Sequence, residues 1–325
     1  MKTFKLFSLI LVLTSLVFTS CVENPIEEEK ELIVCLKTLA GHNNWVFSVS
    51  YSLDETKIVS ASMDKTIKIW DANTGECLKT LIGHEDHVYS VSYSPDGTKI
   101  LSASKDNTMK IWDANTGECL KTLMGHKNSV TSASFSPDGT KIVSASRDCS
   151  VKIWDANTGV CLKSLAGHIG DVKCVSFSPD GTKIVSASLD GTMKIWDANT
   201  GECLKTLAGH SYAVQSASFN LDGTKIVSAS NDKTLKIWDV NTGECLKTLT
   251  GHTWNVNSVS YSPDETKIIS ASGDETIKIW DSNTGECLQT LAGHGSNVVS
   301  AKYSPSGTKI VSGSANKIIK VWGVN

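Results

Sequence analysis

Gly83–Leu123 reads GHEDHVYSVSYSPDGTKILSASKDNTMKIWDANTGECLKTL. Taken alone it is four short runs of strand-forming residues with turn residues between them. The same pattern then fills the chain. Gly-His pairs fall at 41–42, 83–84, 125–126, 167–168, 209–210, 251–252 and 293–294, and Trp falls at 70, 112, 154, 196, 238, 280 and 322. Both series advance by 42 residues without a slip. A fixed period in this range marks a stacked array or a propeller, in which no unit buries its apolar face alone. The 325-residue length by itself would suggest two domains, but the repeat overrules that.

Within one unit, a loop holding Gly-His leads into strand a, Val88–Tyr93. Ser94-Pro95-Asp96-Gly97 places Pro and Gly where a tight turn uses them. Strand b is Lys99–Ser104, a turn carries Asp106, and strand c is Met109–Trp112. Asn115-Thr116-Gly117 leads to strand d, Cys119–Leu123. The β-branched content and regular turn punctuation fit four antiparallel strands. The a-b-c set occurs seven times and so does the d-type run, but the first d run, Cys35–Leu39, precedes any strand a. The chain stops just after the last strand c. Pairing Leu32–Leu39 with Ile318–Trp322 closes an all-β, seven-bladed β-propeller over 32–325, leaving no blade incomplete and no long open edge.

Gly-His, Ser-Pro-Asp-Gly-Thr, Ser-Ala-Ser-x-Asp-x-Thr and Ile-Trp-Asp together resemble the WD40 repeat family, over about nine-tenths of the chain. The resemblance implies a buried hydrogen-bond network in each blade. In one blade its members are His84, Ser102 or Ser104, Asp106 and Trp112. The chemistry is coherent, because an indole only donates, a carboxylate only accepts, and His and Ser do both. The seventh unit departs from the pattern: Asn316 replaces Asp, Ile318 replaces Thr and Gly323 replaces the Asp after Trp. The closing blade is therefore expected to be the weakest.

Met1–Ser20 has a basic start at Lys2 and Lys5, then the apolar run Leu6–Phe18. This is too short to span a bilayer but suits a signal peptide; the alternative is a frayed apolar terminus. Phe18-Thr19-Ser20-Cys21 resembles the lipobox of bacterial lipoproteins, although Phe18 stands where Leu is usual. That resemblance implies lipidation of Cys21, export, and a lipid anchor in the bacterial envelope, at the outer membrane or cell surface. Residues 21–31, with Pro25 and five Glu, read as a disordered acidic tether.

Net charge is −3, with 31 basic and 34 acidic residues, so nothing draws the chain globally to nucleic acid or to an acidic membrane surface. Seven His spread one per blade cannot converge on a metal. Seven of the ten Cys, at 35, 77, 119, 161, 203, 245 and 287, share the 42-residue step. They lie on different blades, beyond disulfide reach, and read as small packing residues; Cys149 and Cys174 stand outside the series. No phosphate loop, nucleophile elbow or Cys-x-x-Cys is present, and neither a cofactor nor a metal is expected.

The units are so alike that their differences carry the functional signal. Variation concentrates in the five residues after Gly-His and in the residue before the turn Asp: Met63, Lys105, Arg147, Leu189, Asn231, Gly273 and Ala315. By the family resemblance both places lie on one rim. Five aromatics remain outside the repeat pattern and the signal segment, namely Trp45, Phe47, Tyr89, Tyr212 and Trp254, and all fall in the variable loops or at the start of strand a. Exposed Trp and Tyr suit binding anchors, although some could fold back as packing. Charge on this rim sits in units two to four, with Glu85, Asp86, His87, Lys105, Lys127, Arg147, Asp171 and Lys173. The expected partner is a protein or peptide that lays an apolar part over the aromatics and an acidic part over Lys105, Lys127 and Arg147. Some relatives clamp an arginine between aromatics across the channel; Phe47 resembles one of these, but Lys173 stands at the matching position. The function expected is a non-enzymatic binding scaffold on a monomeric propeller. The alternatives are an active site at the channel mouth or a structural surface protein.

Overall fold

The computed structural model describes residues 32–324. The expected signal peptide, tether and lipidated Cys21 lie outside the described residues. Twenty-eight strands form seven four-stranded antiparallel sheets, the blades of a ring. Blade 1 comprises Val46–Tyr51, Lys57–Ser62, Ile67–Asp71 and Cys77–Leu81, here called strands a to d from the channel outward. Blades 2 to 6 follow at the same spacing. Blade 7 takes Val298–Tyr303, Lys309–Ser314 and Ile318–Val324 from the chain's end and Ile33–Ala40 from its start. The expected closure is present, with Cys35 opposite Trp322 and Leu39 opposite Ile319.

The closing strand copies its counterparts in detail. In blade 2 a bulge at Ile111/Trp112 sets Trp112 opposite Cys119. In blade 7 a bulge at Cys35/Lys37 sets Cys35 opposite Trp322. The departures in the seventh unit belong partly to this seam. In other blades the Asp after Trp starts the c–d turn, as Asp113 does by accepting from the amides of Asn115 and Thr116 at 2.8 and 2.7 Å. Blade 7 needs no such turn. At Gly323 a Cβ would come within 2.8 Å of the Leu36 side chain, so the missing side chain makes room for the incoming strand.

The core lies between blades. One cluster joins Val59, Ile67, Ile69 and Leu81 of blade 1 to Val88, Val91, Ile100 and Trp112 of blade 2. Another joins Leu39, Val311 and Val321 to Val46, Val49 and Trp70 across the seam. Strand b explains its own sequence: Lys-Ile-Val-Ser-Ala-Ser is covered on both faces after its first residue. Each large apolar side chain so buried stabilises by about 2–3 kcal/mol.

Strand d forms the perimeter, and in Cys77–Leu81 only Leu81 is buried. The seven periodic cysteines are therefore exposed, which corrects the expectation that they pack inside. All nine cysteines among the described residues are free.

Two departures in the turns between strands a and b join neighbouring blades. Glu55 and Glu265 occupy the position held elsewhere by Gly and keep its left-handed φ, at 58° and 60°. The Glu55 carboxylate accepts from the Ser306 amide across the seam, and Glu265 accepts from the amides of Leu221 and Asp222 in blade 5.

Candidate functional site

Each d–a loop is held on its blade by the buried network. In blade 2, Trp112 Nε1 donates to Ser102 Oγ at 2.8 Å, Ser102 lies 2.8 Å from His84 Nε2, and His84 Nδ1 lies 2.7 Å from Asp106 Oδ2. Since the indole can only donate, the Ser102 hydrogen is free to point at Nε2, and Nδ1 then carries the proton donated to Asp106. Burial alone would raise the Asp106 pKa. Hydrogen bonds from His84 and Thr108 outweigh it and hold the carboxyl well below its ordinary range. Ser104 is not part of this chain. It donates to the Asp86 carbonyl at 3.2 Å and accepts from the Asp106 amide at 3.1 Å, bracing loop and turn. Gly83 permits the close pass of the loop, because a Cβ there would stand 3.1 Å from the Trp112 ring.

The same chain of contacts recurs in blades 1 to 6. Blade 7 breaks it. Trp322 still donates to Ser312 at 2.7 Å and Ser312 still meets His294 Nε2, but His294 Nδ1 is buried without a partner. Asn316 turns its amide to the His294 carbonyl instead. Burial, with a further push from Lys320, lowers the His294 pKa from 6.5 to about 4.

These braced loops ring the mouth of the central channel, a cavity of about 710 Å³. Eight of the residues expected on the rim line it, namely Trp45, Phe47, Met63, His87, Tyr89, Lys105, Arg147 and Lys173. The aromatics of blades 1 and 2 form one wall, with Phe47 5.1 Å from Tyr89 and 6.2 Å from Trp45 between ring centroids. Arg147 stacks on Tyr89 at 5.4 Å and donates to its hydroxyl at 3.2 Å. The mouth's charges are partly paired, Arg147 with Asp171 at 3.7 Å and Lys105 with Asp86 at 3.4 Å. Lys105 and Arg147, expected to face an acidic part of the partner, thus each have a carboxylate of the rim beside them. Burial pulls the His87 pKa below its ordinary value, with Asp86 opposing. Burial and Arg147 together lower that of Lys173, with Asp171 opposing.

The remaining three do not line the cavity. Lys127 is exposed, with its amide donating to Asp148 at 2.8 Å. Tyr212 and Trp254 stand on the rim at 67% and 59% exposure, as separate features of blades 5 and 6. Trp254 lies over Gly273, where a Cβ would come within 2.4 Å of its ring. Lys233 sits 5.8 Å from the Trp254 ring, so the far side of the rim is not free of charge as expected.

The rest of the channel wall includes residues that the sequence reading did not single out. Thr131, Gln215, Asn257 and Val299 occupy the strand-a position of Phe47 and Tyr89, the last of the five variable residues in their units, where only the aromatics stood out. Cys174 takes a channel position held by Ser in the other repeats, and its thiol lies 3.7 Å from the Ala217 carbonyl. Lys302 takes another serine position deeper in the wall. Among the described residues no three His, Cys, Asp or Glu gather as metal ligands.

Seven four-stranded blades, a buried His–Ser–Trp–Asp chain in six of them and a lined channel mouth define a repeat propeller. The profile of the WD domain, G-beta repeat, matches residues 33–71, 75–113, 117–155, 159–197, 201–239, 243–281 and 285–323. The chain belongs to the WD40 family, whose propellers are in general scaffolds for protein interaction and not enzymes. Two curated proteins share short stretches with it. One stretch of 47 residues is 50% identical to the vegetative incompatibility protein HET-E-1 of Podospora anserina, covering 14% of this chain and 4% of that protein. Another of 46 residues is 44% identical to the regulator of rDNA transcription protein 13 of Saccharomyces cerevisiae, covering 13% of this chain and 25% of that protein.

Proposed function

We propose that the propeller is a non-catalytic platform that binds a protein or peptide at the channel mouth of blades 1 to 4. The observation that carries this reading is the joining of Trp45, Phe47, Tyr89 and the stacked Arg147 along one wall of a 710 Å³ cavity. Aromatic and Arg side chains held rigid beside a concavity are the usual anchors of an interface. Photocrosslinking through a reporter at Met63, in Trp45→Ala plus Tyr89→Ala against Tyr212→Ala plus Trp254→Ala, tests it. Loss of one defined adduct in the first pair only is expected; an unchanged adduct in both pairs overturns the reading.

We further propose that the protein is exported and held in the envelope by acylation of Cys21. The basic start, the apolar run and the Phe18–Cys21 sequence support this. Cells fed radioactive palmitate should label the protein, and Cys21→Ala should abolish the label. Label that survives the substitution removes the anchor.

A further inference from the structure

One strand-a position is serine in six repeats, Ser50, Ser92, Ser134, Ser176, Ser218 and Ser260, and four of these, Ser92, Ser134, Ser176 and Ser218, border a second cavity. Blade 7 has Lys302 there. Its side chain lies within the channel and borders the same cavity as the mouth. No hydrogen bond or ion pair reaches its ammonium among the described residues. Among the described residues no Asp or Glu lines the cavity, and the titratable group beside the Lys302 amine is the Cys174 thiol. Arg147 and Lys105 have Asp171 and Asp86 beside them; Lys302 has no such neighbour. The serines one ring higher are occupied between blades. Ser48 accepts from the Val91 amide at 3.2 Å, Ser216 from Val259 at 3.3 Å and Ser258 from Ala301 at 3.1 Å.

A half-buried amine with no hydrogen-bond partner is costly to charge, and burial lowers its pKa, with Cys174 opposing. An anion entering from the mouth would relieve that cost in a setting where water screens little. The geometry points to a ligand carboxylate: we propose that the bound peptide of the preceding section inserts one Glu or Asp side chain past the Phe47–Tyr89 wall to pair with Lys302. A single ammonium suits a monoanion. Phosphate recognition calls on a guanidinium fork and several donors, and the one fork here, Arg147, is stacked on Tyr89 beside Asp171.

The inference rests on the platform reading and is tested apart from it. Two libraries of randomised seven-residue peptides, one with a fixed central Glu and one with a fixed central Gln, are passed over the immobilised full chain. The wild type should retain the Glu library at least tenfold more strongly. Lys302→Ser installs the residue of the other six repeats, so the variant should fold; it should reduce Glu retention to the Gln level. Lys302→Arg should restore the preference. Equal retention of both libraries by the wild type, or a Glu preference that survives Lys302→Ser, overturns the channel pairing while leaving the mouth intact as a platform. Free glutarate separates the two sources of a carboxylate. If it displaces the Glu peptides at their own concentration, the site takes a small acid and the peptide side chain is ruled out. Loss of both libraries in Trp45→Ala plus Tyr89→Ala, with wild-type Glu preference intact, is the signature of both readings holding.

Discussion

At the scale of single residues, the buried network made the repeat recognisable and also shows where it fails. Ser102 has two clients, the Trp112 indole and the His84 ring. Ser102→Ala leaves both buried groups unsatisfied and should cost about 1–3 kcal/mol in urea unfolding at pH 7. Ser104→Ala should cost less, because the loop groups it braces are nearer to water. Which serine served the tryptophan was not legible, since both stand at alternate positions of one strand and only the loop path separates them. His294 makes the case for pH. Its folded pKa of about 4 lies below the unfolded 6.5, so the unfolded chain binds the proton more readily. The associated stability is present above pH 6.5 and is lost as pH falls to 4, about 3 kcal/mol in all. Asn316→Asp would set a carboxylate beside the empty Nδ1 and raise that pKa. Between pH 7 and 5 the variant should lose less stability than the wild type; parallel losses would show that His294 does not govern the acid limb.

At the scale of elements, strand positions followed from turn chemistry, because Pro-Asp-Gly-Thr and Asn-Thr-Gly leave little freedom about where a strand ends. Burial in strand d did not follow. A five-residue run such as Cys-Leu-Lys-Thr-Leu, apolar at both ends, looks half-buried, yet the perimeter of a blade has no neighbour beyond it, so the cysteines face out. Glu55 and Glu265 were equally opaque, since a carboxylate in a glycine position only makes sense once the adjoining blade's amides are in place. Gln289 is a third such device. The other six strands d carry Lys at this position, and Lys121 donates across to the Asn157 carbonyl of the next c–d turn at 2.7 Å. Blade 7 lacks that turn, and Gln289 pairs twice with the backbone of Ile33, donating at 2.7 Å and accepting at 3.2 Å. Gln289→Ala should cost about 1 kcal/mol. Amide exchange should quicken in Ile33–Ala40 and Ile318–Val324 while Thr276–Asp281 in blade 6 is unchanged. Uniform acceleration would mean that the glutamine has no special hold on the seam.

For the whole molecule, ring closure was legible by counting, because an unmatched d run at the start and a missing one at the end leave a single way to complete seven blades. The site was legible only in part. Variable loops pointed to the mouth, but whether Trp45 and Trp254 share a surface depends on their places around a circle, which a linear pattern does not display. Lys302 escaped notice because it sits in a column that otherwise reads as scaffold. Deleting residues 32–40 removes Leu39 from the cluster shared by blades 7 and 1 and bares one edge of Ile318–Val324. The shortened protein should melt at a lower temperature and over a broader range in calorimetry; an unaltered sharp transition would mean that the ring holds without its first strand. The path of that strand has an orientational consequence. It begins beside Val324, climbs to Ala40, and delivers the chain to the loop bearing Trp45. Leu32 thus departs from the face of the disc opposite the lined channel mouth. Anything joined ahead of Leu32 therefore enters the ring far from the loop that carries Trp45, so a fusion made there should leave the aperture unobstructed.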